Sequence, residues 1–196
     1  MPPKSKITRE MIIHTGIEIV REHGIENVNA RTVSEKLGCS TQPVMYHFKK
    51  IEDMKAAVYQ EADRIHTAFI SDVQGDDPML AIGLSYIRFA QTENNLFRLL
   101  FQSNEFAGKS IAGLIDAEEI APVMAVLSEA AGVGVTQAKI IFKSLFLFVH
   151  GYASMFANNS LEYDEEMISA DLRRVFAGMV CTVKETASVC KDAKLG

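Results

Sequence analysis

The sequence predicts an all-α fold, with an N-terminal three-helix head and a larger C-terminal helical bundle, about nine helices in total. Apolar residues recur at helical spacing along most of the chain, and no segment shows the strict alternation of a half-buried strand. The 5 prolines and 12 glycines fall between the periodic segments, where such residues start or end helices.

The first helix of the head is delimited by a cap and a glycine. Thr8 precedes the periodic apolar residues Ile12 and Val20, and a threonine in that place caps a helix through its side-chain oxygen. Gly24 follows His23 and ends the helix, because glycine readily adopts the backbone conformation of a helix C-terminus. The pattern therefore predicts a first helix from residue 8 to about residue 23.

Two short helices follow in close succession. Asn29 is positioned to cap the second helix, which Gly38 ends after about two turns. Ser40 is positioned to cap a third helix that ends near His47, and Pro43 lies in its first turn, where a missing N–H is tolerated.

A longer helix is predicted for residues 51–72, and Gln74–Pro78 is a loop that separates the head from the remainder. Five further helices are predicted, at roughly 79–92, 94–103, 110–131, 136–158 and 164–190. We expect three regions: a head at 1–50 with its motif at about 30–49, a connecting helix at 51–72, and a C-terminal domain at 73–196.

Composition and charge exclude several classes of protein. Hydrophobic residues make up 48% and charged residues 23%, which is globular composition, and the net charge of −5 excludes a uniformly basic nucleic-acid coat. Three cysteines favour a reducing compartment over a disulfide scaffold. Ile140–Ala157 is apolar but contains Lys143 and His150, which predicts a buried helix and not a membrane span. We expect a cytoplasmic protein with no membrane partner.

Charge is unevenly divided along the chain. Residues 2–50 hold eight basic and five acidic side chains, a balance of +3, so the remaining residues carry −8. A basic head on an acidic body indicates contact with a polyanion at one end only.

Residues 29–48 have the spacing of a helix-turn-helix, with the turn at Leu37–Ser40. Apolar residues such as Val33 and Val44 cover the inner faces, which leaves the outer face of the second helix to polar side chains. Gln42 is suited to paired hydrogen bonds with adenine, and Thr41 to a base or a thymine methyl group. The predicted DNA-contacting residues are Asn29, Arg31, Ser40, Thr41, Gln42, Tyr46, His47, Lys49 and Lys50. His47 has a second interpretation, as a structural histidine.

Gly24–Arg31 and Leu37–Phe48 resemble the DNA-binding domain of the tetracycline-repressor (TetR/AcrR) family, and the resemblance covers roughly the first 65 residues. The family usually has tyrosine where this chain has Met45 and lysine where it has Ile51, and both family residues commonly contact phosphate. Tyr46, Lys49 and Lys50 are our candidates for replacing those contacts. Phe148–Gly151 is similar to the Trp-His-Gly signature of one group of C-terminal domains, with Val149 in place of tryptophan.

The resemblance implies a homodimer formed through the last two helices. Candidate dimer faces are Phe148, Tyr152 and Met155 on one helix, with Val175, Met179 and Val183 on the other. It also implies an unknown small apolar or amphipathic effector. The candidate effector-binding residues, each of which has ordinary core packing as its alternative, are Phe97, Phe101, Phe146 and His150.

The function that follows is a ligand-responsive regulator, most simply a repressor that binds a pseudo-palindromic DNA operator as a dimer and is released by a small molecule. We expect no enzyme, cofactor or metal, because neither a catalytic constellation nor histidines at ligand spacing are present. The alternatives are a helical small-molecule carrier or enzyme with a vestigial DNA-binding head, and an interaction adaptor.

Overall fold

A computed structural model describes residues 7–72, 76–103, 113 and 118–192. In these residues the protein consists of nine α-helices with no strand, which confirms the predicted fold class. The helices are α1 (Arg9–His23), α2 (Ala30–Lys36), α3 (Thr41–His47), α4 (Ile51–Ser71), α5 (Pro78–Thr92), α6 (Asn94–Phe101), α7 (Ala121–Ala131), α8 (Val135–Asn158) and α9 (Glu165–Asp192).

The predicted helix at 110–131 is the one whose start differs most. In the structure α7 begins at Ala121, after a single 3₁₀ turn at Glu118–Ile120. Pro122 lies in the first turn, where its fixed φ and missing N–H favour a helix start. Residues 110–112 and 114–117 lie outside the described residues.

The chain forms two compact units. The first comprises residues 1–69 and 92–105, and the second comprises residues 70–91 and 106–196. The sequence-based boundaries placed α6 in the C-terminal domain, whereas the structure groups it with the head helices.

α6 belongs to the first unit because it packs on α1. Its Leu96 and Phe97 are fully buried. Arg21, in the last turn of α1, donates from Nε and Nη2 to the Glu93 carboxylate over 2.9 and 2.8 Å. Asn95 Nδ2 donates to the Arg21 carbonyl over 2.8 Å. A charged pair and apolar burial thus attach α6 to a helix more than 70 residues earlier.

The first unit also requires a close approach at Gly16. A Cβ added to Gly16 would lie 2.5 Å from Cγ2 of Val58, and Val58 is fully buried. A buried β-branched side chain has little freedom to move away. Residue 16 therefore has no room for a side chain.

Gly16→Ala is expected to destabilise the protein by ~1–3 kcal/mol, because overpacking outweighs the ~1 kcal/mol that alanine gains over glycine in a helix. Chemical denaturation measures the free energy of unfolding. The control is the size-exchange variant Gly16→Ala/Val58→Ala, which should recover part of the loss that the two single changes predict together. A Gly16→Ala protein more stable than wild type would contradict the close approach.

The core of the second unit lies where α8 packs on both α7 and α9. Leu127, Ala138 and Ile141 are fully buried there. Of the described helices, α8 alone has the length and apolar composition of a membrane span, with a mean hydropathy of 1.5 over a window that is 33% buried. One such helix is weak evidence for a membrane, because core helices have the same composition.

The face of α9 that we assigned to a dimer seam turns inward. Val183 is buried in the core with α7 and α8, and Val175 and Met179 pack against that core within the same chain. The assignment was wrong because periodicity identifies an apolar face but does not say whether α9's own neighbours or a second chain cover it.

Candidate nucleic-acid interface

Two local devices form the helix-turn-helix. Asn29 Oδ1 accepts from the N–H groups of Arg31 and Thr32 over 3.0 and 3.1 Å, and Thr32 Oγ1 accepts from the Asn29 N–H over 3.2 Å. This reciprocal capping box starts α2. Gly38 has φ +64°, a left-handed conformation that glycine adopts without strain. The chain therefore turns between α2 and α3 at the predicted glycine.

The inner faces of α2 and α3 meet in the core of the first unit. Val33 and Val44 are fully buried and Phe48 is 4% exposed. The Arg9 guanidinium lies 5.0 Å from the centroid of the Phe48 ring, a cation–π contact that ties α1 to the end of α3. Leu37 is only half-buried, at the turn.

The opposite face of α3 is open to solvent. Thr41 and Gln42 are exposed, as the sequence predicted, and Tyr46 is 80% exposed. Met45 is exposed as well, at 39%. The sequence analysis treated Met45 only as a lost phosphate contact, although it lies one helical turn after Thr41 and so on the same face.

Ser40 precedes α3 with extended backbone, but its side chain makes no capping hydrogen bond, contrary to the prediction. An N-cap oxygen accepts from the N–H of the second or third helical residue. The third residue here is Pro43, which has no N–H. The proline that helps to start the helix thus removes one of the two donors that the Ser40 hydroxyl would use.

The basic side chains beside α3 differ in their partners. Arg31 Nε donates to Glu35 Oε1 over 2.8 Å, one turn along α2. Lys49 and Lys50 are exposed, and neither ammonium group forms an ion pair with any residue that the structure describes. Two uncompensated positive charges therefore follow α3 directly.

Two predicted contact residues have structural partners. His47 is half-buried, and its Nε2 lies 3.0 Å from the carbonyl of Ile7, which supports the alternative of a structural histidine. The side-chain oxygen of Asn29 is occupied by the capping box, and its Nδ2 donates to the Asn27 carbonyl over 3.3 Å. Both residues hold the motif together.

The four candidate effector residues form two separate pairs. In the first unit Phe97 and Phe101 have ring centroids 5.0 Å apart, and Phe97 is fully buried. In the second unit Phe146 and His150 have ring centroids 5.6 Å apart.

The sequence analysis missed the polar partner of the second pair. The Tyr86 hydroxyl lies 3.1 Å from Nδ1 of His150, and Phe142 stacks on Phe146. Burial raises the pKa of Tyr86 and lowers the pKa of His150, so both groups are neutral at pH 7. Tyr86 lies on the apolar face of α5, where helical spacing makes it indistinguishable from a core aromatic residue.

The fold and the motif define a helical protein with an N-terminal helix-turn-helix. The crystal structure of BioQ, a TetR-family regulator, has a similar fold, with a TM-score of 0.55 and 14% sequence identity over 89% of this chain and 99% of the BioQ chain. No protein-family model matches the sequence, and no curated protein shows significant similarity to it. The comparison therefore supports the predicted architecture over nearly the full length of both chains.

Proposed function

We propose that this protein is a cytoplasmic transcriptional regulator that binds double-stranded DNA through α3. The observation that carries the proposal is the solvent face of α3, with Gln42 and Tyr46 exposed beside the unpaired Lys49 and Lys50. An α-helix fits the major groove, where side chains reach base edges and flanking cations reach phosphates. The similarity in fold to a known regulator is consistent with this role.

The phosphate contacts are tested by the salt dependence of DNA binding. Binding constants fall with salt by about 0.9 logarithmic units per neutralised phosphate for each logarithmic unit of salt. In a dimer each lysine occurs twice, so Lys49→Ala and Lys50→Ala are each expected to reduce the slope by about 1.8. The probe is DNA selected from a random duplex pool, titrated at several salt concentrations.

Lys55→Ala serves as the control, because Lys55 lies on the adjacent α4 and is only half-exposed. Its slope should equal that of wild type. An unchanged slope in both the Lys49 and Lys50 variants would remove the phosphate assignment. Failure to enrich any sequence at low salt, together with turnover of a bound compound, would favour the carrier or enzyme with a vestigial head.

We further propose that the protein acts as a homodimer through α8 and α9. One recognition helix contacts too few base pairs to select a site, and two-fold symmetry doubles the contacts. Ile140, Leu147 and Met155 are 52, 46 and 56% exposed and form one stripe along α8. Met167, at the start of α9, is 50% exposed. An apolar stripe of this kind is typical of a subunit interface.

Met155→Glu is expected to weaken dimerisation at least ten-fold, since it places one buried charge on each side of the interface. Sedimentation velocity measures the monomer fraction. The matched control is Met11→Glu, which makes the same change at a 37% exposed position on α1 and should leave the dimer intact. Equal dimer fractions in the two variants would place the interface elsewhere.

Regulation by a small molecule completes the proposal. The aromatic cluster of Phe142, Phe146, Tyr86 and His150 in the second unit offers apolar surface with a polar pair, which suits an amphipathic effector. A ligand that distinguishes two conformers by ~1–3 kcal/mol would lower DNA affinity by roughly 5–150-fold and so relieve repression. Challenging the protein–DNA complex with fractionated metabolites tests this: compounds that bind tightly without shifting DNA affinity would exclude the coupling.

A further inference from the structure

The order of side chains around the exposed face of α3 assigns different tasks to its members. Successive helical residues are rotated by about 100°, so with Thr41 at zero, Met45 lies at about 40°, Gln42 at about 100° and Tyr46 at about 140°. Met45 and Gln42 therefore occupy the middle of the exposed arc. Thr41 and Tyr46 occupy its two edges.

A helix that enters the major groove with this face directs the middle of the arc to the groove floor and the edges to its walls. The floor carries the base edges, whereas the walls are sugar and phosphate. Tyr46, 80% exposed at one edge, is placed for the backbone. Met45 is placed for the bases, next to the amide of Gln42.

From this placement we infer that Met45 is a specificity-determining residue that reads the 5-methyl group of a thymine adjacent to the base pair contacted by Gln42. The inference rests on the proposed DNA-binding function and assigns the thymine methyl to Met45 and not to Thr41.

The chemistry of the side chain supports a methyl contact. Methionine is unbranched, flexible and polarisable, so it adapts its thioether to a small apolar group. Thymine is the base that presents a methyl group in the major groove, while cytosine presents an N4 amino donor there. Since the thioether is only a weak acceptor, Met45 favours thymine over cytosine at this position. Met45 is 39% exposed in the free protein, so its apolar surface is available for such a contact.

The experiment replaces each thymine of the selected operator in turn with deoxyuridine, which removes only the methyl group. Wild-type protein is expected to lose about four-fold in affinity at one thymine of each half-site and about sixteen-fold when both are replaced, the ratios that correspond to ~0.8 kcal/mol per buried carbon. Met45→Ala should bind thymine and deoxyuridine at that position equally.

Thr41→Ser is the matched control, because it removes the only methyl group that Thr41 offers. It should keep the wild-type ratio between thymine and deoxyuridine. A measurement on wild-type protein alone gives an independent check: 5-methylcytosine at this position should bind about four-fold better than cytosine.

The outcomes separate the two proposals. Failure to enrich any DNA sequence would overturn the proposed function and this inference with it. Enrichment followed by a deoxyuridine penalty that persists in Met45→Ala, or that disappears in Thr41→Ser, would overturn the assignment to Met45 while leaving the proposed function intact. Binding with no penalty at any thymine would do the same.

Discussion

Gln42→Ala is expected to weaken binding to the selected operator by roughly 30-fold to 10⁴-fold. A glutamine amide that makes paired hydrogen bonds to adenine contributes ~1–3 kcal/mol of discrimination, and a symmetric dimer makes the contact twice. Gln42 lies near the centre of the exposed face of α3, so truncation removes the contact without disturbing the buried Val44. Fluorescence anisotropy with labelled operator DNA measures the change.

The loss should also be specific in position. Selection with the Gln42→Ala variant is expected to relax the base preference at one pair of each half-site and to retain it elsewhere. Gln60→Ala is the control, since Gln60 makes the same change on an exposed part of α4 and should bind as wild type does. A variant at position 42 with unchanged affinity and base preference would exclude α3 as the reading element.

The second large effect is an acid-dependent loss of stability at His66. This residue is 7% exposed on α4, and its ring lies 5.0 Å from that of Phe101 in an edge-to-face contact. Burial lowers the pKa of His66 from 6.5 to about 4. The unfolded chain therefore binds this proton more readily than the folded one does.

The sign follows from that difference. The stabilisation from neutral His66 is complete above about pH 6.5 and is lost as the pH falls towards 4. The loss reaches about 2 kcal/mol at pH 5 and about 3 kcal/mol near pH 4. Urea unfolding at pH 7.5 and pH 5 measures it.

His66→Gln is the control, because it removes the titrating group. Burial lowers the pKa of His150 as well, and that contribution is common to both proteins. The wild type should therefore lose about 2 kcal/mol more than the variant between the two pH values. Equal losses would show that His66 is not buried as a neutral ring.

The local features of the head could be predicted from the sequence because they depend on neighbouring residues. The cap at Thr8 is confirmed by a 3.2 Å hydrogen bond from the Met11 N–H. The cap at Asn29 and the left-handed turn at Gly38 are present as predicted. Caps and turns need only a side chain and a backbone within a few residues, so their residue types are informative on their own.

Long-range packing could not be predicted in the same way. α6 was placed with the C-terminal helices because it is close to them in the chain, but Arg21 and Glu93 pair across 72 positions. Val175 and Met179 were assigned to a partner chain and instead cover their own core. An apolar stripe has the same pattern whichever surface covers it.

The sequence by itself therefore determined the helices, their caps and the outward face of α3, because helical periodicity and capping are written into residues a few positions apart. Only the tertiary structure decided that α6 joins the head, that His47 bonds to the Ile7 carbonyl, and that Met155 faces solvent while Val183 does not. These outcomes depend on which apolar faces meet, and that choice is made by the packing of segments distant in the chain.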